Sequence, residues 1–180
     1  MRIISGKFKG RKLFQPKDET VRPTTDRIKE SLFNILGQRM DNLSVLDLFS
    51  GSGALGIEAL SRGAKSAVFC DKSRQNLALT KRNLEILGIN CKLINDDYKN
   101  ALKSLNGEKF DLIFCDPPYK ENFLSEILKR VCENELLTEN GIIVYESFCD
   151  NLINVEKPYI IKDSRMYGKI KLTFISKETQ

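Results

Sequence analysis

Val45-Leu46-Asp47-Leu48-Phe49-Ser50-Gly51-Ser52-Gly53-Ala54-Leu55-Gly56 runs from an apolar strand through a glycine-rich turn into a helix. That order opens a βαβ unit, and the chain beyond it keeps alternating. Apolar runs predict strands over residues 45–49, 67–71, 92–95, 111–116 and 142–146, with helices over 53–62, 73–87, 98–105 and 123–133. Five strands with intervening helices predict an α/β fold built on a parallel, doubly wound sheet. The tail departs from the alternation. Residues 159–164 and 170–176 flank Met166-Tyr167-Gly168 as a hairpin, so the sheet should end in an antiparallel pair.

Upstream, Arg22-Pro23-Thr24-Thr25-Asp26 should open a helix capped by Thr25 or Asp26. Ile28, Leu32, Ile35 and Leu36 then share one helical face, and Gly37 is a candidate stop. Residues 1–13 hold two apolar patches, Ile3-Ile4 and Phe8, split by Gly6 and Gly10, the pattern of a small β-ribbon. The first twelve residues carry Arg2, Lys7, Lys9, Arg11 and Lys12 and no acid, a surplus equal to the whole chain's +5. The remainder is therefore balanced. A basic arm on a neutral body is the footprint of a polyanion binder, or else a solvated terminal ribbon.

At 180 residues the chain suits one domain: residues 1–21 as the basic extension and 22–180 as the core with its leading helix. No stretch approaches the roughly 20 apolar residues of a membrane span. The start, Met1-Arg2-Ile3-Ile4-Ser5-Gly6-Lys7, shows no signal-peptide core, so a cytoplasmic protein is expected. The five cysteines form no Cys-x-x-Cys pair and there is no histidine, which argues against a metal site. Reduced, buried thiols are expected. The lack of histidine also removes the commonest general base, leaving carboxylates, backbone and positioning.

Phe110-Asp111-Leu112-Ile113-Phe114-Cys115-Asp116-Pro117-Pro118-Tyr119 supplies the second constraint. Its apolar run does not alternate, so it reads as a strand buried on both faces. The two prolines then stop sheet pairing and fix an extended turn. Asp116 and Tyr119 should stand at the carboxyl end of a central strand, where open α/β sheets bind ligands. A carboxylate, exposed carbonyls and an aromatic face suit a flat ring bearing an amine. The alternative is a helix cap at Asp116 and simple packing at Tyr119.

Gly51, Gly53 and Gly56 spell G-x-G-x-x-G, and Asp71 follows the second strand. One reading is the dinucleotide fingerprint of an NAD-binding oxidoreductase, with Asp71 on a ribose hydroxyl. Two details point elsewhere. Asp47 would repel a pyrophosphate, whereas it could attract a cationic amino-acid group or bond the loop amides, and the loop has no Lys or Arg. S-adenosylmethionine, with an ammonium, a sulfonium and a ribose but no phosphate, fits better.

The order of the 47–56 segment, Asp71 and Asp116-Pro117-Pro118-Tyr119 resembles class I S-adenosylmethionine-dependent methyltransferases that modify nucleobase amines. More narrowly, Arg22-Pro23-Thr24-Thr25-Asp26-Arg27, Glu30-Ser31-Leu32-Phe33-Asn34 and the run from Asp47 through Gly56-Ile57-Glu58-Ala59-Leu60-Ser61-Arg62 are similar to the RsmD family. The resemblance spans essentially the whole chain. It implies a Rossmann-like fold: a mostly parallel seven-stranded sheet, a C-terminal antiparallel hairpin and a small basic N-terminal β-ribbon. It also implies methylation of guanine N2, at the position numbered 966, in bacterial 16S ribosomal RNA, leaving S-adenosylhomocysteine and needing no metal.

The implied catalytic residues are Asp116, Pro117 and Tyr119. The implied cofactor contacts are Asp47, Phe49, Ser50, Gly51, Gly53, Asp71, Lys72 and Asp97, the last as an adenine-contacting acid, although Asp96-Asp97 also reads as a helix cap. Lys7, Lys9, Arg11, Arg22, Thr24 and Arg27 are the candidate RNA contacts. The expected partner is 16S ribosomal RNA, within the small subunit or an assembly intermediate, and the expected state is a monomer without membrane contact. Three other activities compete: transfer to adenine N6, C5-pyrimidine methylation by a Cys115 nucleophile, and RNA binding without catalysis.

Overall fold

The alternation predicted after Ser44 is present in the computed structural model, which describes residues 1–16, 26–118 and 123–178. The elements are α1 (Asp26–Leu36), β1 (Ser44–Asp47), α2 (Ala54–Ser61), β2 (Ser66–Cys70), α3 (Arg74–Ile86), β3 (Lys92–Ile94), α4 (Tyr98–Ser104), β4 (Phe110–Cys115), α5 (Leu124–Glu133), β5 (Leu137–Phe148), β6 (Tyr159–Tyr167) and β7 (Ile170–Lys177). They form one seven-stranded sheet of order β3-β2-β1-β4-β5-β7-β6. The first five strands are parallel, and β7 lies antiparallel between β5 and β6. The arrangement matches the expected Rossmann-like sheet, mostly parallel with a C-terminal antiparallel hairpin.

Strands buried on both faces need two covering layers. On one face Val45, Phe69, Phe114 and Val144 pack against Ile28, Leu32 and Phe33 of α1, Ile57 of α2 and Leu77 and Leu84 of α3. On the other, Leu46, Val68, Ile113 and Ile143 pack against Leu102 of α4 and Ile127 and Val131 of α5. Strand order reverses between β1 and β4, and the crevice beyond their carboxyl ends is where such sheets bind ligands.

Several expectations are corrected. β5 begins at Leu137, well before residue 142, because Leu137 pairs with Phe110 ahead of an irregularity in the ladder. The polar Thr138-Glu139-Asn140 run hides that start in the sequence. The buried side of α1 is Ile28, Lys29, Leu32 and Phe33, and Ile35 is exposed. The helix is rotated away from the apolar-stripe prediction because Lys29 turns inward to an ion pair with Glu58 and Phe33 packs on Phe114, ring centroids 5.8 Å apart. Asp26 is the first helical residue of α1, not a flanking cap, and the other candidate, Thr25, lies outside the described residues. Among the cysteines Cys70 and Cys115 are buried, Cys91 and Cys149 are half-buried, and Cys132 at the solvent side of α5 is exposed.

The N-terminal ribbon is narrow, closed by a single antiparallel bridge between Arg2 and Lys12. Its backbone ladder continues through Ile3 N to Arg11 O (2.9 Å) and Leu13 N to Met1 O (3.1 Å). It is docked onto the helices. Gly6 is required there: a Cβ would stand 1.7 Å from the Ser61 carbonyl oxygen, and its φ is +83°. Among the described residues no helix is long and apolar enough to cross a membrane.

Candidate active site

The carboxyl ends of β1, β2, β3 and β4 meet around the glycine loop. Leu48 N donates to Phe114 O (3.0 Å) and Ser50 N to Cys70 O (2.8 Å), so the loop is fastened to the ends of β4 and β2, and Asp71 N donates to Ile94 O (3.2 Å), joining the end of β2 to that of β3. Asp71 is the hub. Its carboxylate accepts from Gly51 N (2.9 Å), Ser73 N (2.7 Å) and the Asn76 side-chain amide (3.3 Å). A carboxylate offers about four acceptor positions, so one remains to meet a ligand hydroxyl. Gly56 lets α2 close on β2, since a Cβ would lie 2.4 Å from the Phe69 ring.

Asp47 lies beneath this loop, 3% exposed, and accepts from Gly56 N at 3.0 Å. Loss of hydration pushes its carboxyl from 3.8 up to about 7, against the lowering effect of the Gly56 amide. The unfolded chain therefore releases this proton before the folded one, and stability falls as pH rises from about 4 to about 7. Asp47→Asn keeps an acceptor for Gly56 and removes the ionisation. Its stability relative to the parent should rise by roughly 3 kcal/mol between pH 5 and pH 8. Denaturant midpoints that differ by the same amount at both pH values would refute a buried titration.

Phe49, Tyr98 and Phe123 form an aromatic cluster at the same edge. Ring centroids are 5.7 Å apart for Phe49–Tyr98, 6.3 Å for Phe49–Phe123 and 5.2 Å for Tyr98–Phe123. Phe49 is an expected contact; Tyr98 and Phe123 were missed, and each stands at the start of a helix, α4 and α5. Asp97 caps α4, accepting from Lys99 N (2.7 Å) and Asn100 N (3.0 Å), and it remains exposed. Lys72 is exposed beside Asp71. The Ser50 hydroxyl is buried in the loop with no hydrogen-bond partner among the described residues, a polar position that a ligand would satisfy. Carboxylates for hydroxyl and ammonium groups, aromatic rings and an unpaired hydroxyl, with no cation in the 49–56 loop, fit S-adenosylmethionine. They do not fit a pyrophosphate. Among the described residues no cluster of three or more metal-ligating acids or thiols occurs.

Asp116, half-buried, directly follows β4, with Pro117 buried and Pro118 exposed. The N-cap of α5 is Phe123, whose own side chain makes no capping hydrogen bond. Tyr119 lies outside the described residues. Cys115 points into the second core layer and is 1% exposed, and burial raises its thiol far above the ordinary range. An inert thiol does not suit a C5-pyrimidine nucleophile.

The basic candidates divide. Lys9 and Arg27 line a shallow recess of about 470 Å³ with Arg2, Asp26 and Glu30. Lys7 and Arg11 are exposed outside it. Lys7 N donates to Ser61 O (2.7 Å) and Phe8 N to the Ser61 hydroxyl (3.0 Å). The ribbon's turn thus sits at the end of α2 remote from the glycine loop. Arg22 and Thr24 lie outside the described residues.

Sequence reasoning also missed Glu58. Its carboxylate, fully buried on α2, accepts from Ile4 N (2.8 Å), Ser5 N (3.0 Å), Lys29 Nζ (3.0 Å) and Arg62 Nε (2.9 Å). It joins the ribbon, α1 and α2.

The family model described as conserved hypothetical protein 95 matches residues 1–176. The Bacillus subtilis protein YlbH is 43% identical over 150 residues, 81% of this chain and 82% of that one. The Haemophilus influenzae ribosomal RNA small subunit methyltransferase D is 38% identical over 168 residues, 91% of this chain and 87% of its own length. Among solved structures, the yhhF protein of Escherichia coli superposes with a TM-score of 0.89 at 32% identity, covering 100% of this chain and 99% of that one.

Proposed function

The chain belongs to the family described as conserved hypothetical protein 95, the RsmD family, and from that membership we propose that it methylates the exocyclic N2 amine of a guanine in small-subunit ribosomal RNA, of the 966 type. S-adenosylmethionine supplies an electrophilic methyl group on a sulfonium. The observation that carries the reading is the placement of Asp116-Pro117 at the end of β4, beside the loop fastened by Asp71 at the end of β1.

An exocyclic guanine amine is a weak nucleophile because its lone pair is delocalised into the ring. The Asp116 carboxylate and the Pro117 carbonyl accept hydrogen bonds from the two amine protons, favour a pyramidal nitrogen and aim it at the methyl group. Pro117 and Pro118 hold both acceptors rigid, so the gain is positional and electrostatic. No strong base is required, since the product ammonium sheds its proton readily. Asp71 takes ribose hydroxyls, Asp97 the adenine side, and the Phe49–Tyr98–Phe123 cluster the adenine face. Tyr119 stacks on the target base, a contact worth roughly 1–3 kcal/mol, and the base must leave its stack to be reached.

Calorimetric titration tests the cofactor: S-adenosylmethionine should bind and NAD should not, and the reverse would restore the oxidoreductase reading. The basic ribbon gives a second test. Replacing Lys7, Lys9 and Arg11 together should flatten the plot of log RNA affinity against log salt by roughly 0.7–0.9 per phosphate contact removed. Parallel lines for parent and variant would mean that the RNA is gripped elsewhere.

A further inference from the structure

The two most exposed large apolar side chains among the described residues are Leu152, 84% exposed, and Met166, 71%; the next is Ile86 at 47%. Both belong to the edge that carries Asp116. β5 runs parallel to β4, so its last residue, Phe148, lies at the carboxyl edge. Phe148 pairs with Ile170 of the antiparallel β7, and Ile170 pairs with Tyr167 of β6, which brings the β6–β7 turn to that edge. The β5–β6 connection is strapped to the turn. Cys149 N donates to Lys169 O (2.9 Å), and the Lys171 ammonium donates to the Asn151 carbonyl. Lys171 is also the ladder partner of Met166, so Leu152, next to Asn151, is held at the corner that carries Met166.

We propose that Leu152 and Met166 form an apolar wedge that enters the base stack beside the target nucleotide and holds it open. The proposal rests on the RNA-methylating reading above. An apolar side chain left in water has a transfer free energy waiting to be recovered. Leu and Met are among the side chains that unstack base steps when inserted. The hairpin supplies the charge that an RNA backbone requires: between Tyr159 and Lys171 it carries Lys162, Arg165, Lys169 and Lys171 against one acid, Asp163. Extruding a guanine costs stacking energy that Asp116 and Pro117 cannot recover until the base has arrived. A wedge on the same edge, spanning the end of β5 and β6, the third strand from β4, fills the gap that the base leaves.

The test uses an RNA oligonucleotide bearing the target guanine with 2-aminopurine as its 3′ neighbour, whose emission rises when it unstacks. Binding of the unaltered protein should raise emission several-fold. The Leu152→Ser, Met166→Ser double variant should cut that rise to less than half and slow single-turnover methyl transfer at least tenfold, with S-adenosylmethionine affinity within twofold. Leu152→Phe with Met166→Phe should restore both. An equal rise in the serine variant overturns the wedge. So does a dimer of the unaltered protein, seen by light scattering, that the serine variant dissociates, because the corner would then be a self-association surface. Failure of the unaltered protein to bind or methylate the RNA would instead defeat the substrate reading.

Discussion

Replacing Asp116 by alanine should lower methyl transfer at least a hundredfold and leave S-adenosylmethionine affinity within a few-fold of the parent. The magnitude follows from removing one fixed, charged hydrogen-bond partner of the reacting group, which typically costs 10²–10³ in turnover. Cofactor affinity is spared because the Gly51 and Gly56 amides of the loop are held by Asp71 and Asp47. Stability should change little, since Asp116 is half-buried and stands beyond the last residue of β4. Asp116→Asn separates charge from shape: it keeps an acceptor and should recover part of the loss. Single-turnover transfer to RNA, alongside calorimetry, reads both quantities. Near-normal turnover in the alanine variant would remove the amine-orienting role.

The second large effect is on stability. Glu58→Ala should destabilise the fold by about 3–5 kcal/mol, because it strands two buried cations that now share one carboxylate. The Lys29 and Arg62 side chains are 0% and 1% exposed, and Ile4 N and Ser5 N would lose their acceptor as well. Burial already lowers the Lys29 pKa, and Glu58 is the main force opposing that shift. In a chain of this size the loss should lower the melting temperature by roughly 10 °C. Glu58→Gln should be milder yet still costly, because its amide NH₂ would face donors instead of acceptors. A melting temperature within 2 °C of the parent for the alanine variant would show that the ribbon is docked by its apolar residues, Ile3 and Leu13, alone.

The readable part of this molecule was local. The glycine loop, the acid after β2 and the Asp-Pro-Pro end of β4 each announce their geometry within a few residues, because strand burial, tight turns and proline constraints act at short range. The unreadable part was the pairing of distant charges. Glu58 stands in an Ile-Glu-Ala stretch that looks like the solvated face of a helix, and Lys29 in α1 looks equally exposed. Only the tertiary approach of α1, α2 and the ribbon makes each the other's partner. The same approach turned Phe33 inward and left Ile35 outside, against the apolar spacing. At the site, Tyr98 and Phe123 escaped notice because each opens a different helix, and nothing in the linear order says that both converge on Phe49. For Asp47 the sequence offers two tasks, attracting a cation or bonding loop amides, and its burial and its bond to the Gly56 amide bear out the second.

The central claim is that a methyl group passes from S-adenosylmethionine to a guanine amine of small-subunit ribosomal RNA. The direct measurement is transfer of tritium from labelled cofactor to 16S ribosomal RNA, offered both as purified RNA and as small subunits lacking the modification, followed by digestion to nucleosides. The label should appear in N2-methylguanosine from one position, and Asp116→Ala should abolish it. Label in N6-methyladenosine or a methylated pyrimidine, or no transfer to either form of the RNA, would contradict the account.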